Sequence, residues 1–220
     1  MIKTIVLCSM MSIIGWFFAC LAVMQYKYHT IKSFLKPRIF LKKNKMLALA
    51  FYVLMGVAAG VMFSEYGYLP SKCIRYMILI CGICVIAYID KTSQIIPNFI
   101  LIVLLAVRTV LLVIDLILYT DAWQTILLST FGGMILGFVI FMIAYLLSRK
   151  GIGLGDVKLV AVIGYYLGAS ALYGVIILSL LSCVIYTGVQ MIRKKLKLKD
   201  AVAFGPFLAI GTVLGILMGI

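Results

Sequence analysis

The stretch PNFILIVLLAVRTVLLVIDLILY, from Pro97 to Tyr119, carries only two charges, Arg108 and Asp115, in an otherwise apolar run. As a helix rising ~1.5 Å per residue it crosses a hydrocarbon layer ~30 Å thick. On either side of it, further apolar runs fall at about 4–25, 46–64, 73–89, 124–147, 157–168, 171–191 and 201–219. Of the 220 residues, 65% are apolar, against ~45–50% in a soluble domain even with glycine counted. That excess excludes a soluble enzyme, a disordered chain and a secreted disulfide scaffold. The expectation is an all-α polytopic membrane protein of about eight transmembrane helices, folded as a single membrane domain over 1–220. One run is short: Val157–Gly168 covers only ~18 Å as a helix. It is either a partial span or the start of a segment that continues into 171–191 past a break near Gly168-Ala169-Ser170.

Twenty Lys and Arg face six Asp and Glu, a net charge of +14. Such a balance can mark nucleic-acid binding, but here the positions of the charges say otherwise. Seven lie between the first two runs, at Lys27, Lys32, Lys36, Arg38, Lys42, Lys43 and Lys45. Lys91 follows the third run, Arg149, Lys150 and Lys158 flank the next junction, and Arg193, Lys194, Lys195, Lys197 and Lys199 precede the last run. If the runs alternate across the bilayer, these sixteen share one face. The positive-inside rule makes that face cytoplasmic and puts both termini outside. The charge is therefore topological, and no nucleic-acid partner is expected. Only Lys3 precedes the first run, so a retained span with its N-terminus outside is expected rather than a cleaved signal peptide. The basic segment 26–45 also carries Ile31, Phe34, Leu35 and Phe40, which suits it to rest on anionic membrane lipid.

Glycines at small-xxx-small spacing, Gly56/Gly60, Gly133/Gly137, Gly164/Gly168 and Gly211/Gly215/Gly219, let helix backbones approach closely in lipid. Cys81-Gly82-Ile83-Cys84 is formally a CxxC. It sits inside an apolar run, with no second pair and with the sole histidine, His29, far away in the basic segment. Buried small side chains are expected there, and neither a metal nor a cofactor.

With so few acids, each can be weighed. Glu65, Asp121 and Asp200 fall in connections and read as solvated charge. Arg108 is mid-span, where a charge is costly, and Asp115 lies two turns further along the same face, so a structural pairing is expected. Asp90 ends the third run and Asp156 opens the sixth, with two crossings between them, so parity returns both to the cytoplasmic rim. Two carboxylates that meet there cannot both ionise easily and would share a proton. One could then take a proton from water while the other donates to a substrate carbonyl, which hydrolyses a peptide bond without metal or covalent nucleophile. Gly151, Gly153 and Gly155 ahead of Asp156 permit unusual backbone angles and close approach of another segment. Pro97 suits the first turn of the following helix. Lys91 and Lys158 would lower the pKa of a nearby carboxylate, whereas desolvation and mutual repulsion would raise one.

Gly153-Leu154-Gly155-Asp156-Val157-Lys158 resembles the GxGD motif of membrane aspartyl proteases, in the form seen in type IV prepilin peptidases. Asp90 followed by Ile96-Pro97-Asn98 resembles that family's first catalytic aspartate and the helix start after it. Ala203-Phe204-Gly205-Pro206-Phe207-Leu208 is similar to its C-terminal Gly-Pro segment. The order and spacing agree over roughly 85–220, which the resemblance makes the peptidase core. It implies a catalytic pair Asp90 and Asp156, with Gly153, Gly155, Lys158, Pro97, Gly205 and Pro206 as supporting motif residues. It implies removal of short basic leader peptides from type IV pilin-like precursors at the cytoplasmic face of the bacterial inner membrane. Bifunctional members of that family carry paired CxxC motifs between the first two spans, linked to N-methylation. Tyr26–Lys45 has no cysteine, so zinc binding and methyl transfer are not expected, and the chain resembles peptidase-only members of Tad/Flp-type and competence pilus systems. Two other classes remain at this point: an ion-coupled transporter using Asp90, Asp156 and Arg108, and a non-catalytic scaffold for pilus assembly.

Overall fold

The computed structural model describes residues 70–148, 151–194 and 202–219. The runs at 4–25 and 46–64, the basic segment 26–45, Cys8, Cys20, Glu65 and the Gly56/Gly60 pair lie outside the described residues, as do Arg149, Lys150 and 195–201. The described chain is helical: α1 (Pro70–Ser93), α2 (Asn98–Leu118), a 3₁₀ turn (Thr120–Ala122), α3 (Trp123–Leu147), α4 (Leu154–Leu167), α5 (Ala169–Ile192) and α6 (Gly205–Leu217). Four segments are long and apolar enough to cross a membrane: Ser71–Lys91, Asn98–Leu118, Thr120–Leu147 and Ala169–Ile192.

The short run is a helix of its own. α4 has 14 residues, about 21 Å of rise, and it ends at Gly168, whose φ of +88° is left-handed backbone that a Cβ disfavours. A side chain there would also strike the Ser129 hydroxyl. The last run also forms a short apolar helix, α6, of 13 residues. It opens at Gly205-Pro206, where proline in the first turn costs no hydrogen bond.

α4 lies at the centre. Ten of its residues are buried, from Asp156 and Val157 through Tyr166 and Leu167. It packs along α3, where Gly133 and Gly164 bring the two backbones into direct contact. A Cβ on Gly137 would sit 2.9 Å from the Val160 carbonyl oxygen. The small-residue spacing thus works as a helix–helix contact, gaining dispersion that lipid alone would not supply. On the other side α6 packs against α1 and α5, with Gly211 seated on Ser179 and Gly215 on Val175. Cys73 and Cys81 are buried in α1 and Cys84 is half-buried, as expected of small apolar side chains.

The connection between α1 and α2 is set by local chemistry. Gln94 takes a left-handed φ of 53°, and its N–H donates to the Asp90 carbonyl at 2.8 Å, an αL stop to the helix. Pro97 then takes the N-cap position of α2, one residue ahead of the first turn expected for it.

The glycine contact yields a paired prediction. Gly133→Ala forces a methyl group into the backbone of α4, whereas a Cβ on Gly132 would meet nothing within 4 Å. Thermal unfolding in detergent should show Gly133→Ala destabilised by about 1–3 kcal/mol, the usual range for overpacking, with Gly132→Ala close to the parent.

Candidate active site

Three helix ends converge on one point. Asp90 lies in the last turn of α1, Asp156 in the first turn of α4, and Gly205 opens α6. Both carboxyl groups are buried, Asp90 to 5% exposure and Asp156 to 9%. The Gly205 N–H donates to Asp90 Oδ2 at 2.8 Å, so the first orphan donor of α6 is satisfied by an acid from α1. A Cβ on Gly205 would begin 2.7 Å from that oxygen. Glycine is what lets the α6 backbone reach the carboxylate.

Asp156 is held more loosely. Its Oδ2 accepts the Gly153 N–H at 3.3 Å, closing the first turn of α4. Its Oδ1 is buried and has no hydrogen-bond partner among the described residues. Asp156 lies outside the four membrane-crossing segments. Burial, followed by the nearby Asp90 charge, pushes its carboxyl up to about 6, against a smaller lowering by the Gly153 N–H. The two acids that parity assigns to one rim therefore act on each other. A carboxyl that keeps its proton to such a pH, with one oxygen unpartnered and a second carboxylate beside it, is equipped for general acid–base chemistry.

The surrounding motif residues take particular roles. Gly153 has φ −75° and ψ 142°, and neither Gly151, Gly153 nor Gly155 is among the positive-φ residues. The expectation of unusual backbone angles there is corrected: the requirement met here is close approach. A Cβ on Gly155 would lie 2.9 Å from the Ile96 Cβ, so the turn before Asp156 rests on the connection after Asp90. Lys158 does not reach for a carboxylate; its Nζ donates to Asn98 Oδ1 at 3.1 Å, tying the starts of α4 and α2 together. Pro97 is buried beside it, Pro206 is the second residue of α6, and Lys91 is exposed. In the sequence Asn98 shows only as a polar residue after a proline. Its partner, Lys158, lies 60 residues away. Among the described residues no group of three His, Cys, Asp or Glu side chains is placed to hold a metal ion.

A second polar cluster occupies the other end of α2. Arg108 is fully buried. Its Nη1 donates to Asp115 Oδ2 at 3.2 Å, its Nη2 to Thr130 Oγ1 at 3.2 Å and its Nε to the Tyr165 carbonyl at 3.2 Å. The expected pairing with Asp115 is present, and the guanidinium also clamps α3 and the last turn of α4. Asp115 further accepts from Ser71 Oγ and from Arg75 Nη1 of α1. Thr130, Tyr165, Ser71 and Arg75 carry no sequence signal for this, since each contact joins separate helices.

A model of the type IV leader peptidase family matches residues 77–188. A prepilin leader peptidase/N-methyltransferase of Bacillus subtilis (strain 168) is 30% identical over 162 residues, covering 74% of this chain and 61% of that protein. A protein of the same name from Dickeya chrysanthemi is 26% identical over 172 residues, covering 77% of this chain and 60% of its own length. The chain thus spans about three fifths of the length of these curated relatives. No solved structure matches it.

The Arg108 cluster makes its own prediction. Arg108→Ala leaves Asp115 buried beside the more distant Arg75 and frees two acceptors on α3 and α4. Breaking a buried pair from one side costs about 3–5 kcal/mol, so the midpoint of thermal unfolding should fall sharply. Arg108→Lys, which keeps the charge but not the three-way fork, should recover part of the loss.

Proposed function

The chain belongs to the type IV leader peptidase family, and we propose that it is an integral-membrane aspartyl endopeptidase that removes short basic leaders from type IV pilin-like precursors. The observation that carries this reading is the meeting of Asp90 and Asp156 at a buried junction of helix ends, where Asp156 is pushed up to about 6 by burial and by Asp90. In this reading both are catalytic. Gly205 and Pro206 deliver the N–H that holds Asp90, Gly153 and Gly155 shape the turn before Asp156, and Pro97 and Lys158 fix the neighbouring helix start.

Asp156 carries the proton and Asp90 the charge. The oxygen of a water attacks the scissile carbonyl carbon and gives a proton to Asp90, while Asp156 passes its proton to the carbonyl oxygen. The neutral gem-diol then collapses. The C–N bond breaks, Asp90 returns its proton to the leaving nitrogen, and Asp156 recovers one from a gem-diol hydroxyl. Products leave with the pair in its starting state.

The finer topology belongs to the same proposal. Eight crossings, some short, put both termini outside and the aspartates at the cytoplasmic rim of a bacterial inner membrane, with sixteen positive residues on that side. The chain forms one membrane domain with its peptidase core over 85–220, and 26–45 lies against anionic lipid. Because Tyr26–Lys45 contains no cysteine, the activity proposed is peptide cleavage without N-methylation.

Two measurements test this. In membranes given a cognate precursor, Asp90→Asn and Asp156→Asn should each cut leader removal by about 10²–10⁴-fold with the protein still folded; undiminished cleavage by either variant removes the pair assignment. The proton on Asp156 is present below its pKa and lost as the pH rises through it. The kcat/KM profile should therefore decline through about pH 6, where an ordinary aspartate would impose the loss at about pH 4.

A further inference from the structure

The end of the helix bundle away from the aspartates carries an uneven charge. Arg108 and Arg75 both donate to Asp115 Oδ2, at 3.2 and 3.5 Å, and Ser71 Oγ donates to Asp115 Oδ1. Two guanidinium groups share one carboxylate, so the cluster keeps one positive charge. Arg108 and Asp115 are buried, and the Arg75 side chain is only 13% exposed. Among the described residues no other acid pairs with either arginine. Asp121, the next acid along the chain, is exposed in the 3₁₀ turn. A charge held where water is scarce is costly without a counter-ion.

Arg75 also has an unused donor. Its Nη1 is taken by Asp115 and its Nη2 donates to Tyr76 Oη at 3.3 Å. Its Nε is buried with no hydrogen-bond partner among the described residues. The Tyr76 ring lies 5.0 Å from the guanidinium carbon, which attracts the cation but brings no countercharge. Nε–H and one Nη2–H point the same way, along the edge on which a guanidinium takes two oxygens of a phosphate or carboxylate. Lys72, one turn earlier on the same helix face, is exposed. The partner that fits is an oxyanion.

The neighbouring surface says what else that partner carries. The last turns of α2 expose Ile114, Ile117 and Leu118, and Tyr119 and Trp123, which follow, are exposed as well. Apolar side chains bordered by Tyr and Trp mark the boundary between acyl chains and headgroups. An anion that brings its own acyl chains suits this surface better than a free ion.

We propose that Arg75, with Lys72 beside it, binds the phosphate of an anionic phospholipid in the leaflet opposite the aspartates. The phosphate diester supplies the single negative charge that the Arg75–Arg108–Asp115 cluster lacks, and two oxygens for Nε and Nη2. A zwitterionic headgroup carries its own cation and leaves the excess in place. Fifteen residues separate Arg75 from Asp90, about 22 Å along α1, so the lipid takes no part in hydrolysis. It secures α1 against α2 through Asp115.

The test uses full-length protein in a neutral detergent, with phosphatidylglycerol or phosphatidylcholine added at equal mole fraction and constant ionic strength. Basic residues elsewhere also attract anionic lipid, so the readout is the difference between the parent and Arg75→Gln. Phosphatidylglycerol should raise the midpoint of thermal unfolding of the parent by about 5 °C more than that of the variant. Phosphatidylcholine should affect the two alike. Equal responses of parent and variant to phosphatidylglycerol overturn the proposal, as they would if Glu65, outside the described residues, supplied the anion. An Arg75-dependent rise of the same size with phosphatidylcholine also overturns it. Inorganic phosphate that reproduces the Arg75-dependent rise without lipid overturns a lipid source. Should Arg75→Gln fail to fold, the parent alone decides. Phosphatidylglycerol bearing a photoreactive group next to its phosphate should label residues 71–76 or 113–119, and labelling confined to other segments overturns the site.

Discussion

The backbone contact between Gly133 and Gly164 governs how the helices of this protein can be arranged. α4 rises only about 21 Å, less than a hydrocarbon layer ~30 Å thick, so its position depends on the helices around it. Two glycines meeting without side chains let α3 and α4 run closer than any pair of larger residues allows. That closeness gives α4 a protein wall, and ten of its fourteen residues are buried. Once α4 is seated, its first turn carries Asp156 to the junction where α1 ends and α6 begins.

The two ends of α4 are secured by opposite means. At its last turn the Tyr165 carbonyl accepts from Arg108, a buried charge that joins α2, α3 and α4 and is neutralised by Asp115. Each nitrogen of that guanidinium donates a hydrogen bond, which is what makes a charge tolerable at this depth. At its first turn the polar groups are left under-satisfied. Among the described residues, Asp156 has one oxygen without a partner, and the main-chain groups of Ile95 and Ile96 enter no backbone hydrogen bond.

Much of this is legible in the chain itself. Asp90 and Asp156 can be assigned to one rim by counting crossings, because the apolar runs and the bias of positive residues are read along one dimension. The break at Gly168 shows as a short run ending in small residues. The Arg108–Asp115 pair follows from a spacing of two turns on one helix. Less legible are contacts between helices that are apolar on every side, since such helices show no polar face to reveal which residues turn inward. Lys158 illustrates this: its sequence neighbourhood points to the carboxylates, and its partner is Asn98. The glycines before Asp156 likewise look like sites of unusual backbone angle and serve instead as points of close approach.

The solvent, the order of the helices and the pair of acids on one side were all contained in the linear chain, because hydropathy, charge bias and motif spacing are properties of neighbours along it. Which group holds Asp90 was settled by the folded arrangement alone, whereas Asp156 accepts from Gly153 three residues before it. The Gly205 N–H reaches Asp90 across 115 residues, and that bond depends on the rotation and depth of α6 against α1. Those are fixed by packing among many side chains at once. No local pattern records them.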